Sequence, residues 1–219
     1  MVATTRNDRE TARTLLSTEG RTYAQDAGIR LRDTPQPLYQ VLVMACLLSA
    51  RIKASVATDS ARALFEHGMR SPRGMRDATW QQRVDALGEG HYRRYDERTA
   101  TQLGEGAQLV LDVWGGDLRR VREEADGDPD HLRGELRRVP GLGPVGADIF
   151  LREVQSLWPE VGPLFDGKAV QGAKRLGLPE TPEKLAGLVS RGERAVFAAA
   201  LVRAALDKGV VDEVREAAA

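Results

Sequence analysis

Apolar residues recur at three- and four-residue spacing along most of the chain. Leu38, Val41, Leu42, Ala45 and Leu48 fall on one helical face, and Leu103, Ala107, Val110, Leu111 and Trp114 fall on another. No stretch alternates with the two-residue period of a half-buried strand, so the pattern predicts an all-α fold. Helix starts are legible as well. Asn7 with Glu10 and Thr79 with Gln82 have capping-box spacing, while Asp128-Pro129 and Thr181-Pro182 pair an N-cap residue with proline at the first helical position. Gly20, Gly68, Gly88, Gly115, Gly177 and Gly209 read as stops. Together these signals predict about ten helices joined by short loops. The charged stretch 117–130 reads as a solvated connection and a helix start rather than a domain boundary.

One interruption carries chemistry. A helix with Leu132, Leu136 and Val139 on its apolar face is stopped by Pro140, the turn Pro140-Gly141-Leu142-Gly143 follows, and Pro144 restarts a helix through Val145, Ala147, Ile149, Phe150 and Val154. Gly141 and Gly143 can take positive φ and bring backbone N–H groups to the positive end of the second helix. Such a turn would hold a phosphodiester whatever the base, positioning a strand without reading it. A plain αα-corner would use glycine and proline in the same places, so the local pattern alone leaves both readings open.

Composition narrows the classes. With 32 basic and 32 acidic side chains among 219 residues the formal charge is zero, so any contact with nucleic acid must come from a local patch. Only five of the basic residues are lysine; the arginine excess suits phosphate and base contacts and equally fits a codon bias. The single cysteine, Cys46, lies in the apolar run 41–48, which excludes an intrachain disulfide and predicts a buried structural thiol. No run approaches the roughly 20 apolar residues of a membrane span, and no basic-then-apolar leader opens the chain. The expectation is a cytoplasmic, nucleoid-associated monomer with no membrane contact. No His, Cys, Asp and Glu grouping has metal-site spacing.

Val139-Pro140-Gly141-Leu142-Gly143-Pro144-Val145-Gly146-Ala147-Asp148 resembles the hairpin of the helix-hairpin-helix glycosylase superfamily, in its endonuclease III and adenine-glycosylase branches. Leu47-Leu48-Ser49-Ala50 resembles that superfamily's early barrel helix, Gly90-His91-Tyr92 its Gly-x-Tyr loop, and Phe165-Asp166-Gly167-Lys168 the segment with the catalytic aspartate. The likeness covers roughly residues 35 to 178, in order and at compatible spacing. It implies two helical lobes with the hairpin at the cleft: residues 33–158 as a barrel-like lobe that includes the hairpin, and 1–32 with 159–219 as the second. Double-stranded DNA is the implied partner. Gly141, Leu142, Gly143, Val145 and Gly146 would contact the strand, the hairpin carbonyls could hold a monovalent ion, and Asp166 would serve base excision through a sugar with oxocarbenium character. Asp166 also reads as a plain N-cap of a helix over 167–176, and the two roles are compatible. Arg51 and His91 sit where the superfamily intrudes into the duplex beside a flipped nucleotide; Arg51 equally suits the negative end of a helix, and His91 an exposed loop.

Three departures refine the expectation. The lyase lysine of bifunctional members is replaced by Val145, which cannot form a Schiff base, so a monofunctional glycosylase is expected. Lys168 could reach the site, although a solvated lysine on a helix's first turn is far commoner. The four cysteines of an iron-sulfur cluster have no counterpart, so no cofactor is expected, and helices after Thr181, with Leu185, Leu188, Val189, Val196, Phe197, Leu201 and Leu206 inward, must hold their lobe by packing. The catalytic glutamate of the adenine-glycosylase branch is replaced by Ala45, which leaves alkylated purines, deaminated bases and mispaired thymine as substrates. The alternative is a non-catalytic module of the same fold that binds distorted or abasic DNA.

Overall fold

The computed structural model describes residues 6–217 of the chain. The first helices are α1 (Arg6–Glu19), α2 (Tyr23–Asp26), α3 (Pro35–Leu48), α4 (Ala54–Glu66) and α5 (Pro72–Asp77). Next come α6 (Trp80–Glu89), α7 (Asp96–Trp114), α8 (Arg119–Glu124), α9 (Pro129–Leu136) and α10 (Pro144–Val154). The described chain closes with α11 (Gly167–Arg175), α12 (Pro182–Ala186), α13 (Arg194–Leu206) and α14 (Lys208–Ala217). No strand occurs among the described residues, so the fold is all-α as the periodicity predicts. There are more helices than the sequence suggests because α2, α5, α8 and α12 are too short to leave an amphipathic repeat. None is long and apolar enough to cross a membrane.

Local chemistry explains most boundaries. Thr79 and Gln82 form the expected capping box, Asp128 caps α9 ahead of Pro129, and Gly115 and Gly177 leave their helices at φ 61° and 72°. Four boundaries differ from expectation. Asn7 lies inside α1; Gly88 lies inside α6 and Gly209 inside α14, because the adjacent caps are made by Gly90 at the end of α6 and by Asp207 before α14. The hairpin's first helix ends at Leu136 rather than running on to Pro140.

The chain divides into two compact units. One is Ala24–Phe150, in which α3 pairs with α4, α4 with α6, and α7 with both α5 and α6. Helix α3 is buried nearly all round, including Leu38, Tyr39, Leu42 and Met44. A cation is built into this core: Arg83 donates to the carbonyls of Ala78 at 2.6 Å, Ala100 at 2.8 Å and Met75 at 3.0 Å, tying α5 and α6 to α7. Gly104 makes room for it, since a Cβ there would come within 2.8 Å of the guanidinium. Burial pulls the Arg83 pKa below its ordinary value.

The other unit comprises, among the described residues, 6–23 and 151–217. Its centre is α13, whose Ala195, Phe197, Ala198, Ala199, Ala200 and Leu201 are all buried and which packs against α1, α11 and α14. Small residues let these helices approach closely. Leu206, expected inward, is 57% exposed at the last position of α13.

Candidate functional site

The hairpin between α9 and α10 is built as a backbone donor array. Arg137 ends α9, Leu142 N donates to the Val139 carbonyl at 3.0 Å, and Ala147 N donates to the Gly143 carbonyl at 3.0 Å. The amides of Gly141, Gly143, Val145 and Gly146 have no protein acceptor among the described residues. Gly141 takes φ 85°, as expected; Gly143 does not take positive φ. A Cβ at 143 would meet nothing within 4 Å and the residue is exposed, so the fold itself does not require glycine there. Leu142 and Gly146 turn inward. A Cβ at 146 would lie 2.8 Å from Leu142 Cδ1 and 3.4 Å from Ser49 Cβ, so Gly146 keeps the hairpin against the turn after α3 rather than facing a ligand. Val145 points outward, 61% exposed.

Beside this hairpin, within the same unit, lies a cavity of about 670 Å³. Arg51, Arg98, Arg137 and Arg138 line it together with residues 140–143, and no acidic residue does. Arg138 is paired with Glu135, but Arg51, Arg98 and Arg137 have no hydrogen-bonding or ionic partner among the described residues. A neutral chain therefore carries a local basic face, as DNA binding would require. Of the expected site residues, Arg51, Gly141, Leu142 and Gly143 converge here. His91, Val145 and Gly146 do not line it. Arg98, Arg137 and Arg138 are not legible as partners in the sequence, because their convergence needs the first turn of α7 to approach the hairpin.

His91 is exposed at φ 66°, a conformation uncommon outside glycine. The turn is fixed by His91 N on the Gly88 carbonyl and Tyr92 N on the Leu87 carbonyl, both at 3.0 Å. Gly90 is required immediately before it, since a Cβ there would fall 2.3 Å from Ser60 Cα. The loop that presents His91 is thus pressed onto α4.

Cys46 is half-buried and lines the cavity, rather than fully buried as the apolar run suggests. Burial pushes its thiol from the usual 9.0 up to about 12. Because the thiolate is the nucleophile, alkylation at pH 8 is expected to be about a thousandfold slower in the folded chain than in urea. Mass-spectrometric time courses would check this, and equal rates would contradict it.

The carboxylate lies in the other unit. Asp166 caps α11: Oδ1 accepts from the amides of Lys168 and Ala169, both at 3.0 Å. Oδ2 pairs with Nη1 of Arg152, whose side chain is 3% exposed, against 11% for Asp166. The Arg152 guanidinium also lies 3.6 Å from Glu153 Oε1 and 5.5 Å from the centre of the Tyr23 ring. Burial opposes its charge, yet the Asp166 and Glu153 carboxylates outweigh that and hold Arg152 above its ordinary pKa. The loop before Asp166 is pinned by Gln155, whose side chain donates to the Leu164 carbonyl at 2.9 Å and accepts from Leu164 N at 3.0 Å. Lys168 is exposed, with Nζ on Gln171 Oε1 at 3.0 Å. Sequence reasoning misses Arg152 altogether. The available signal is an adjacent Arg-Glu pair inside the otherwise apolar 149–154 stretch.

No family model matches the sequence, and no curated protein matches it. The structure does find likenesses. A trapped covalent intermediate of endonuclease III with DNA, described as an estranged-adenine complex, superposes with a TM-score of 0.55 at 16% identity, covering 89% of this chain and 83% of that one. A non-covalent endonuclease III–DNA complex gives the same score and identity over 88% and 81%. The chain has an endonuclease III-like fold. That likeness concerns architecture, and the endonuclease III-like fold leaves the chemistry to be argued from Asp166, Arg152 and the hairpin. Among the described residues no three His, Cys, Asp or Glu side chains gather as metal ligands.

Proposed function

We propose that the chain is a monofunctional DNA glycosylase that hydrolyses the N-glycosidic bond of a damaged or mispaired base in duplex DNA. The reading rests on the unpartnered amides of Gly141, Gly143 and Val145, all exposed residues of the hairpin, beside unpaired arginines, an arrangement that suits a phosphodiester backbone. The endonuclease III-like fold supports it. Arg51 and His91 would fill the space left by an extruded nucleotide. Asp166 would supply the fixed negative charge. With one oxygen held by two amides and the other by Arg152, it need not reorganise as positive charge develops on the sugar. Water then bonds to C1′, the C1′–N bond breaks, and the base leaves with the electron pair and a proton. No amine stands at position 145, so strand cleavage through a Schiff base has no nucleophile there.

A second reading has its own observation. Both Asp166 oxygens are occupied and its side chain is 11% exposed, which also fits a structural cap in a module that binds distorted or abasic DNA. One variant separates the two. Asp166→Asn keeps an oxygen for the cap and is expected to retain DNA affinity while losing at least about a hundredfold in base release, the typical scale for a single catalytic group. The assay is a panel of lesion-bearing duplexes, with strands resolved before and after alkali. Alkali-dependent cleavage by the natural chain supports the enzyme. Equal release by the variant removes Asp166 from the chemistry, and release of no lesion by the natural chain favours the binding module.

A further inference from the structure

Two arginines meet at one aromatic ring in the unit that carries Asp166. Cζ of Arg152 lies 5.5 Å from the centre of the Tyr23 ring and Cζ of Arg203 lies 4.6 Å from it, both within the roughly 6 Å over which a cation is drawn to an aromatic face. Tyr23 is 4% exposed and the Arg152 side chain 3%, so water screens their attraction little. Arg203 is anchored in turn: Nη1 donates to the Arg21 carbonyl at 2.6 Å, and Nε lies 3.4 Å from Glu19 Oε2. Glu19, Arg203, Tyr23, Arg152 and Asp166 thus form a row of attractions from the end of α1 to the N-cap of α11.

The ring matters because of how Arg152 is otherwise held. Its two Nη atoms face Asp166 and Glu153, while Nε is buried with no hydrogen-bond acceptor among the described residues. A guanidinium bonded at its Nη edge alone can tilt about those contacts, and an unmet N–H does nothing to resist the tilt. Tilting would move Nη1 and with it Asp166 Oδ2, the oxygen that the α11 amides do not hold. We propose that Tyr23 is a positioning residue for Asp166: its ring face restrains the Arg152 guanidinium, and through it the carboxylate. This rests on the glycosylase reading of Asp166. The negative face of the ring carries the role, and not the hydroxyl, because the contact is with the ring centre.

Fluorine withdraws charge from the face of a phenyl ring while changing its shape little, so the test is a graded series in the full chain. Tyr23→Phe is compared with mono-, di- and trifluorinated phenylalanine at the same position, and with Tyr23→Leu. Solvent exchange of the Arg152 Nε–H, followed by NMR and assigned by its loss in Arg152→Lys, reports on the guanidinium without any DNA. Base release is measured in single turnovers at saturating enzyme, on a duplex from which the natural chain releases a base, and the duplex Kd is measured separately. Tyr23→Phe is expected to match the natural chain within about twofold in both readouts. Each added fluorine is expected to speed exchange and slow release, reaching about tenfold in each for the trifluorinated ring at an unchanged Kd, the scale of a desolvated cation–π contact. A ring that only fills space would give flat series. Exchange that ignores the fluorines would show that the ring face does not restrain Arg152. Release that ignores them would show that the restraint does not reach Asp166, and a loss in Tyr23→Phe equal to that in Tyr23→Leu would assign the role to the hydroxyl. Each of these results overturns the proposal and leaves the glycosylase reading standing. Release of no base by the natural chain overturns that reading and the proposal with it.

Discussion

Arg152→Met is expected to cost the folded chain about 3–5 kcal/mol, the scale seen when one member of a buried ion pair is removed. Methionine fills much the same volume, so the loss is electrostatic rather than a cavity. It leaves Glu153, fully buried, and Asp166, 11% exposed, as neighbouring negative charges with their shared cation gone. The guanidinium also sits over Tyr23, which Arg203 approaches at 4.6 Å as well, so the ring loses one of two cationic neighbours. Urea unfolding monitored by circular dichroism reads the cost. Asp166→Asn is the matched comparison: asparagine is as good an N-cap as aspartate, and Arg152 retains Glu153, so a clearly smaller loss is expected. If Arg152→Met proves no more costly than Asp166→Asn, the guanidinium is not what holds this carboxylate in place. In the glycosylase reading, Arg152 is a positioning residue, and a lesion-release assay on Arg152→Lys reports on that role. Lysine keeps the charge but not the fork, so base release should fall while binding of the duplex is retained.

The regular part of the fold is legible in the sequence because it depends on short-range physics. The Thr79-Gln82 box, Asp128 before Pro129, Pro144 at the start of α10 and the positive φ of Gly115 and Gly177 each follow from residues within one turn of the boundary. The failures have the same origin seen from the other side. Gly88 and Gly209 look like stops, but a glycine two residues from the true cap carries the same local signal, and here Gly90 and Asp207 make the ends. The local pattern allows Gly143 a positive φ, whereas the chain does not take one there and a Cβ would fit in open space. The turn itself and the restart at Pro144 are legible because their parts are consecutive. Arg152 with Asp166, and Arg51 with Arg98 and Arg137, are not, since each pairing joins residues from 14 to 86 positions apart and is set by packing.

Gly172→Ala is expected to be among the most damaging changes of a single methyl group in this chain. Helix α11 crosses α13 at this position, and a Cβ on residue 172 would lie 1.8 Å from the Leu201 carbonyl oxygen and 3.1 Å from Ala205 N. Both obstacles are backbone in a helix buried on nearly every side, so no side-chain rotation relieves them and the two helices must separate. Overpacking of this kind typically costs about 1–3 kcal/mol, and a backbone clash belongs at or above the top of that range. Alanine's better helix propensity returns less than about 1 kcal/mol. The same helix supplies its own control. A Cβ on Gly167, beside Asp166, would meet nothing within 4 Å, so Gly167→Ala should leave stability unchanged or raise it slightly. Because α11 carries Asp166 at its first turn, displacing it from α13 should also displace the carboxylate from Arg152. Gly172→Ala is therefore expected to lower the urea midpoint and base release together, whereas a variant that loses neither would show that α11 and α13 are not packed through this glycine.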